Sequence, residues 1–142
     1  MKNADERSRS LGLLLLRLGT GGFLIYGHGW GKITHFAERA AKFADPIGLG
    51  PWWSFALVVF AEVFCSVGLM LGLATRLAAI PIVIFGLVAV FVQHAGGPFD
   101  DQELALLYMV PALALLFTGA GRYSIDAWIA RAMRSRTADL PS

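Results

Sequence analysis

Long apolar runs, separated by short polar segments, dominate the chain. Four of these runs are about 17–22 residues long and cover residues 11–31, 53–74, 77–95 and 104–120. A helix of about 20 apolar residues crosses a hydrocarbon core of about 30 Å. Helices satisfy their backbone polar groups without water, as lipid requires, and the runs lack the alternation of barrel strands. The pattern therefore predicts an all-α protein, a four-helix transmembrane bundle with short interfacial helices.

The polar segments divide the chain into three parts. We assign residues 1–10 to a cytoplasmic N-terminal segment, 11–121 to the transmembrane domain, and 122–142 to a basic cytoplasmic C-terminal helix and tail. Only "ATR" separates the second and third runs, so these two spans are expected to form an antiparallel hairpin.

Two shorter helices are predicted beside the spans. In the connection 32–52, "ITHFAERAAKFAD" repeats its apolar residues on one helical face, which predicts a short helix on the outer interface. In "YSIDAWIARAMRSR" the apolar and basic residues separate onto different faces, as in a helix that lies on anionic headgroups. Either Ser124 or Asp126 can cap this second helix.

Composition agrees with a membrane protein. Hydrophobic residues make up 56% of the chain, charged residues 15%, and the mean hydropathy is +0.62, whereas a soluble domain carries about 25% charged residues. No basic cluster resembles a nucleic-acid site, so lipids are the expected partners. A cleaved signal peptide is the alternative for the N-terminus, but Arg17 interrupts the apolar core and no A-x-A-like site follows. Cys65 is the only cysteine, which excludes an intramolecular disulfide.

Lysine and arginine predict the orientation of the bundle. With the N-terminus inside and Arg17 left out, eight basic residues are cytoplasmic, namely Lys2, Arg7, Arg9, Arg76, Arg122, Arg131, Arg134 and Arg136. Three are on the outer side, namely Lys32, Arg39 and Lys42. Eight against three follows the positive-inside rule and places both termini in the cytoplasm.

Ionisable residues inside the spans are expected to face the bundle interior. On span one, the helical spacing puts one set on a single face, namely Arg17, Gly21, Leu24, His28 and Lys32. A rise of about 1.5 Å per residue puts Arg17 within about 7 Å of the depth of Glu62 on span two. We therefore predict an intramembrane ion pair between Arg17 and Glu62. The pair could fix helix register alone, or Glu62 could be a proton-linked or ligand-binding carboxylate.

A second polar cluster is predicted near the outer surface. His28 and His94 each lie 17 residues from the inner start of their apolar runs, which is about 25 Å up both helices. Lys32 and Glu103 are close in height, and Tyr108 is about one turn deeper. These five residues are the candidate ligand-binding set, in a pocket that opens outward.

Several chemistries remain open for this cluster. Facing histidines can ligate haem, but usually nearer the membrane interior, so haem is disfavoured. A divalent metal could use His28, His94 and Glu103, but no HxxxH or HxxE spacing links these three residues, and no metal is expected. A quinone or another small molecule with a polar head could hydrogen-bond the histidines and the tyrosine. The alternative without a ligand is that the polar groups pair with one another and with lipid headgroups.

Three segments together resemble the DoxX family. "LLRLGTGGFLIYGHGWGK" has that family's order of Arg, small residues, His-Gly and Lys in span one. "FAEVFCSVGLMLGLATRLAAI" is similar to its span-two Glu and Gly-Leu-x-Thr-Arg turn, and "QHAGGPFDDQELALLYMVPALALLFTGAGRYSID" to its outer-loop His, span-four Glu and closing segment. The resemblance covers about residues 11–126. The polar residues that match by motif position are Arg17, His28, Lys32, Glu62, Arg76, His94, Glu103 and Asp126.

The resemblance implies a small four-helix protein of the bacterial inner membrane. Relatives are described as membrane subunits of redox systems, including quinone-reducing thiosulfate oxidation, terminal oxidases and responses to thiol or oxidative stress. We accordingly expect an accessory subunit of a redox system, with redox-enzyme subunits as partners and a quinone-linked role. The sequence does not establish an enzyme. Two other hypotheses are a small-molecule carrier or exporter that works as a homo-oligomer with Glu62 as coupling carboxylate, and a structural membrane partner without a ligand.

Overall fold

The computed structural model describes residues 2–138. Met1 and the last four residues of the predicted tail 122–142 therefore lie outside the described residues. The side chains of Lys2 and Arg136, both counted in the predicted cytoplasmic charge, also lie outside them.

The described residues form helices joined by short connections and contain no strand, which confirms the all-α fold class. The α-helices are α1 (Lys2–Leu24), α2 (Trp30–Thr34), α3 (Phe36–Ala41), α4 (Pro51–Val59), α5 (Ser66–Leu71), α6 (Thr75–Val88), α7 (Phe99–Thr118) and α8 (Ile125–Ala138). Three π-helical turns continue α1, α4 and α6, and they cover Ile25–Gly29, Phe60–Cys65 and Ala89–Gln93.

Four continuous helical stretches are long and apolar enough to cross a membrane. In chain order they are span 1 (Asn3–Thr34), span 2 (Pro51–Leu71), span 3 (Thr75–Gln93) and span 4 (Phe99–Thr118). Short connections alternate between the two ends of the bundle. We call the end that carries α8 and the turn 72–74 the termini end, and the end that carries α3 and the loop 94–98 the distal end.

Spans 1 and 4 begin several residues earlier than their apolar runs. Helix α1 begins at Lys2 and carries Asp5 in its first turn, while α7 begins at Phe99 with Asp100 and Asp101 in its first turn. Carboxylates stabilise a helix N-terminus because they face the positive end of the helix dipole. Hydropathy therefore located the membrane-length segments and missed the polar turns that begin the helices.

Buried apolar side chains from all four spans form the central core. Its buried members are Leu24, Cys65, Leu69, Ala79, Ile82, Ala112 and Leu115. The outward surface is apolar as well, with Phe23, Leu77 and Phe117 among its exposed side chains. A contiguous exposed apolar surface is expected on a helical bundle that is surrounded by lipid and not by water.

Asp126 fixes the termini end of the bundle. Its two carboxylate oxygens accept hydrogen bonds from the backbone N–H groups of Ala74 (2.7 Å) and Thr75 (3.0 Å). Asp126 therefore caps α6, whereas Ser124 caps α8 by accepting from the N–H of Ala127 at 3.1 Å. The two candidate caps thus serve two different helices.

Arg17 joins this termini-end cluster, so the predicted Arg17–Glu62 pair is wrong. Its guanidinium is fully buried, donates to the backbone oxygen of Tyr123, and lies directly against Gly72. Glu62 instead accepts from Lys32, with Nζ 2.5 Å from Oε1. Arg17 and Glu62 therefore have their hydrogen-bond partners at different ends of the bundle.

Helix register explains the error. The backbone of Glu62 lies beside Gly29 on span 1, and that of Ser66 lies beside Gly21. Gly29 is twelve residues beyond Arg17, or about 18 Å along a helix. The prediction measured the depth of Arg17 and Glu62 from the edges of the apolar runs. An error of a few residues at each edge is enough to place Glu62 at the level of Arg17 and not at that of Gly29.

Candidate ligand-binding site

A cavity of about 490 Å³ occupies the distal end of the bundle. All four spans and α3 contribute to its lining, and its polar and charged residues are His28, Lys32, Glu38, Arg39, Lys42, Glu62, Gln93, His94, Asp101 and Tyr108. Apolar side chains complete the wall, including Leu24, Phe55 and Phe85. The volume lies within the range of about 300–1,000 Å³ that small-molecule sites occupy.

A buried ion pair lies at the bottom of the cavity. Glu62 is 1% exposed and Lys32 is 17% exposed, and a single short hydrogen bond joins Nζ of the lysine to Oε1 of the glutamate. The lysine ammonium also lies 5.8 Å from the ring centroid of Phe85, a cation–π distance. The second glutamate oxygen, Oε2, is buried and accepts no hydrogen bond from the described residues.

His28 and Tyr108 form an aromatic pair on the wall. Their ring centroids are 5.5 Å apart and their planes meet at 80°, which is an edge-to-face arrangement. Both side chains are partly buried and line the cavity. The pair adds an imidazole and a phenol, each of which can donate and accept hydrogen bonds.

The short helix α3 forms part of the rim. Phe36 of α3 and Phe43, just beyond its end, pack with tilted rings against Phe55 of α4, with ring centroids 5.1 and 5.3 Å apart, and Ala40 is buried in the same cluster. This packing leaves the charged face of α3 toward the cavity mouth, where Lys42 donates to Glu38 at 3.3 Å. Exposed pairs of this kind contribute little to stability.

Asp45 holds the connection between α3 and α4. Its carboxylate accepts from the N–H groups of Leu49 (3.1 Å) and Gly50 (2.7 Å) and from the Ser54 hydroxyl (2.5 Å). These hydrogen bonds, the one from Ser54 first, lower the pKa of Asp45 because they stabilise its charged form. The connection that follows the rim helix is therefore ordered by one ionised side chain.

His94 lies at the end of span 3 and reaches the cavity from the loop. Its backbone oxygen accepts from Nε2 of Gln102 at 3.0 Å, and its backbone N–H donates to Ala89. These contacts tie the loop to both span 3 and span 4. The imidazole is partly buried in the cavity wall.

The structure brings together four of the five predicted site residues. His28, Lys32, His94 and Tyr108 line the same cavity, whereas Glu103 is exposed and does not line it. Asp101 lines the cavity in its place. Two residues apart on a helix means about 200° of rotation, so only one of these carboxylates can face inward.

Sequence reasoning missed five charged contributors to the cavity, namely Glu38, Arg39, Lys42, Glu62 and Asp101. Glu62 was assigned to Arg17, and the basic residues Arg39 and Lys42 were counted only as loop charge. The amphipathic pattern of α3 could have located the two basic residues, because its apolar face must pack on a span and its charged face then meets the nearest opening.

Each π turn contributes to the wall. His28 lies in Ile25–Gly29, Glu62 in Phe60–Cys65, and Gln93 ends Ala89–Gln93. A π turn holds one extra residue, widens the helix locally, and occurs often at functional sites. Three such turns around one cavity indicate that the helices are shaped there for more than packing.

The donor set of the cavity consists of hydrogen-bonding groups set in apolar surface. Within residues 2–138, no group of three or more His, Cys, Asp and Glu side chains could hold a metal. The wall instead offers an imidazole, a phenol and a carboxylate oxygen beside apolar surface. Sites of this composition orient a mainly apolar ligand through a few hydrogen bonds.

Comparison with known proteins gives a family and one relative without an assigned role. The DoxX family matches residues 12–95 of the chain. An uncharacterized protein of Haemophilus influenzae is 31% identical over 107 residues, which is 70% of each chain. No solved structure matches the chain significantly.

Proposed function

Because this chain belongs to the DoxX family and is a multi-pass membrane protein, we propose that it is an accessory subunit of a bacterial redox system that binds a quinone-type head group. The observation that carries the proposal is the distal cavity, where His28, Tyr108 and the Lys32–Glu62 pair surround a space of about 490 Å³. A flat ring with oxygen atoms on opposite edges matches this combination of apolar wall and separated hydrogen-bonding groups.

The proposed roles follow from the chemistry of each side chain. The imidazoles of His28 and His94 hydrogen-bond the head group and exchange protons with it, because the ring nitrogens of an imidazole can both donate and accept. Tyr108 orients His28 through their edge-to-face contact. Lys32 and Glu62 set the charge at the bottom of the cavity.

The proposed location is the bacterial inner membrane, with both termini in the cytoplasm. Support comes from the eight-to-three division of lysine and arginine between the two ends. In this orientation the cavity opens on the outer side. A partner redox-enzyme subunit would supply electron transfer.

Quinone titration of the purified protein tests this function. We expect saturable binding of a short-chain ubiquinone or menaquinone by the wild type, and at least a tenfold weaker affinity in the double variant His28→Ala/His94→Ala, because each loss removes a hydrogen bond to the head group. The matched control is His35→Ala, since His35 is exposed and does not line the cavity.

The optical spectrum of the same sample separates the remaining outcomes. A haem Soret band lost in the double variant would replace the quinone with an axial bis-histidine haem site. A folded wild type that binds no quinone would refute the quinone-linked function. It would leave the structural-partner and carrier hypotheses.

One observation favours a second candidate, a small-molecule carrier. Glu62 lies in a span, lines the cavity and has one oxygen without a hydrogen-bond donor among the described residues, and an intramembrane carboxylate can couple proton movement to transport. Four spans are few for a transport path, so this function would need a homo-oligomer. It predicts that Glu62→Gln abolishes substrate uptake in proteoliposomes while the folded oligomer persists.

A further inference from the structure

The bottom of the cavity carries an unsatisfied hydrogen-bond acceptor. Glu62 Oε2 is buried and accepts no hydrogen bond from the described residues. The whole side chain is only 1% exposed. Buried polar atoms are nearly always hydrogen-bonded, and leaving one unpaired costs about 1–3 kcal/mol. A ligand that fills this part of the cavity is therefore selected for what it offers to Oε2.

Lys32 stabilises the ionised form of Glu62, which burial alone would disfavour. Its ammonium is in direct contact with the other oxygen, Oε1, and an adjacent positive charge favours the carboxylate. An ionised carboxylate accepts hydrogen bonds and donates none. The ligand must then bring a hydroxyl, amine or similar donor to this position.

The oxidised and reduced forms of a quinone differ in whether they can donate a hydrogen bond. The oxidised ring carries carbonyl oxygens, which only accept hydrogen bonds, and a carbonyl oxygen facing Oε2 would place two acceptors against each other. The reduced ring carries hydroxyl groups, which can donate. Resting on the proposed function, we propose that the cavity selects the reduced, hydroxyl-bearing form, a hydroquinone that donates to Glu62 Oε2.

A second part of the cavity lining accommodates the same ligand. His28 and Tyr108 line the cavity as a fixed edge-to-face pair, and imidazole or phenol can accept from the second ring hydroxyl. Discrimination therefore arises at Glu62 alone, because the groups at His28 and Tyr108 can serve either form of the ring.

Paired titrations test the inference. Ubiquinol-1, kept reduced under anaerobic conditions, and ubiquinone-1 are titrated separately into the purified full-length protein. We expect the quinol to bind about tenfold more tightly than the quinone, because only the quinol satisfies the buried acceptor. In Glu62→Gln the amide can donate or accept, so this ratio should fall to near one.

Two further variants make the result specific. Glu103→Gln removes an exposed carboxylate outside the cavity and should keep the wild-type ratio. The double variant Lys32→Met/Glu62→Gln removes the pair without leaving an unpaired ammonium, and it replaces Glu62→Gln if that protein does not fold. Either cavity variant should lose the preference.

Failure of this inference differs from failure of the proposed function. Equal affinities, or tighter binding of the quinone, would overturn selection by Glu62 while leaving the cavity as a quinone site. A tenfold preference that survives in the Glu62 variants would also overturn it. If folded wild type binds neither form, the proposed function fails, and the inference fails with it.

Discussion

Lys32 and Glu62 differ in their access to water, although they share one hydrogen bond. Lys32 retains 17% exposure, so its flexible stem can carry the ammonium toward the cavity mouth, whereas Glu62 at 1% cannot move to solvent. Removing the lysine therefore leaves a buried charge without a partner, whereas removing the glutamate leaves a partly hydrated charge without one. Removing Lys32 should therefore change the free energy of unfolding by a different amount from removing Glu62.

This asymmetry predicts the effect of Lys32→Met. We expect the free energy of unfolding to fall by about 3 kcal/mol, because loss of one partner of a buried pair leaves the other charge uncompensated. Glu62→Gln should cost less, and the double variant should recover part of the loss. Denaturant unfolding in detergent micelles measures all three.

Lys42→Met provides the matched comparison. This lysine pairs with Glu38 at 3.3 Å, and both side chains are well exposed, so the expected loss is under about 1 kcal/mol. Equal losses for Lys32→Met and Lys42→Met would show that the cavity pair is not buried in the folded protein.

Sequence alone predicted which residues of span 1 face inward. Arg17, Gly21 and Leu24 are buried, and His28 and Lys32 are half-buried, as the helical spacing indicates. The partner of each charge was not predictable in the same way. Periodicity gives rotation about a helix axis, whereas pairing between two helices depends on their relative shift along it.

Helices and caps could be predicted to different extents. The apolar runs gave four spans, and the spacing in α3 and α8 gave two shorter helices. The three π turns had no detectable signal, because a single extra residue leaves the apolar character of a span unchanged. The cap at α6 was missed since Asp126 is 51 residues away from Thr75 along the chain.

The turn between spans 2 and 3 depends on Gly72. This residue has φ = 67°, a left-handed conformation, and a Cβ atom there would meet the guanidinium of Arg17 and Cβ of Ser124. We expect Gly72→Ala to destabilise the protein by more than about 2 kcal/mol, since backbone strain of about 1 kcal/mol adds to a steric clash with buried groups. Thermal unfolding in detergent measures the loss.

Gly48→Ala separates strain from steric clash. Gly48 has φ = 73°, and nothing lies within 4 Å of the position of its Cβ. Strain alone should cost about 1 kcal/mol there. If both substitutions cost the same, the close approach of Arg17 to Gly72 is not a constraint.

The Asp45 connection should loosen in acid. Its pKa is lowered in the folded protein by hydrogen bonds from Ser54 and the backbone. Its stabilising effect is therefore fully present above the unfolded pKa of about 3.9 and is lost as the pH falls through the lower folded value. Hydrogen exchange at the amides of Leu49 and Gly50 should lose protection below about pH 4.

Asp45→Asn gives the corresponding control. Its amide oxygen can still accept one hydrogen bond but carries no charge, so the protection of Leu49 and Gly50 should be weaker and independent of pH in this range. Acid-dependent exchange that persists in Asp45→Asn would assign the effect to another carboxylate.

The whole bundle has one end built from caps and another built around a cavity. At the termini end, Asp126 and Ser124 secure α6 and α8, and Arg17 joins the same cluster. At the distal end, Lys32 and Glu62 lie beneath an open space. The four spans could be predicted from hydropathy. The difference between the two ends could be recognised only from the side-chain contacts in the structure.

Cysteine labelling tests the proposed orientation. Cys65 is the only cysteine and is buried, so Cys65→Ala gives a thiol-free background. We expect a membrane-impermeant maleimide to label Ala95→Cys in intact cells with a permeable outer membrane, and Ser135→Cys only after lysis. Both positions are exposed. The reverse pattern would place the termini outside and contradict the positive-inside assignment.

The π turns also bear on how such a chain can change length over evolutionary time. Deleting one residue from an α-helical part of a span rotates everything beyond it by about 100° and turns buried faces toward lipid. Deleting one residue from Ile25–Gly29 would instead restore α-helical geometry and leave both flanking halves in register. A homologue shorter by one residue there could keep the bundle while losing the shape of the cavity around His28.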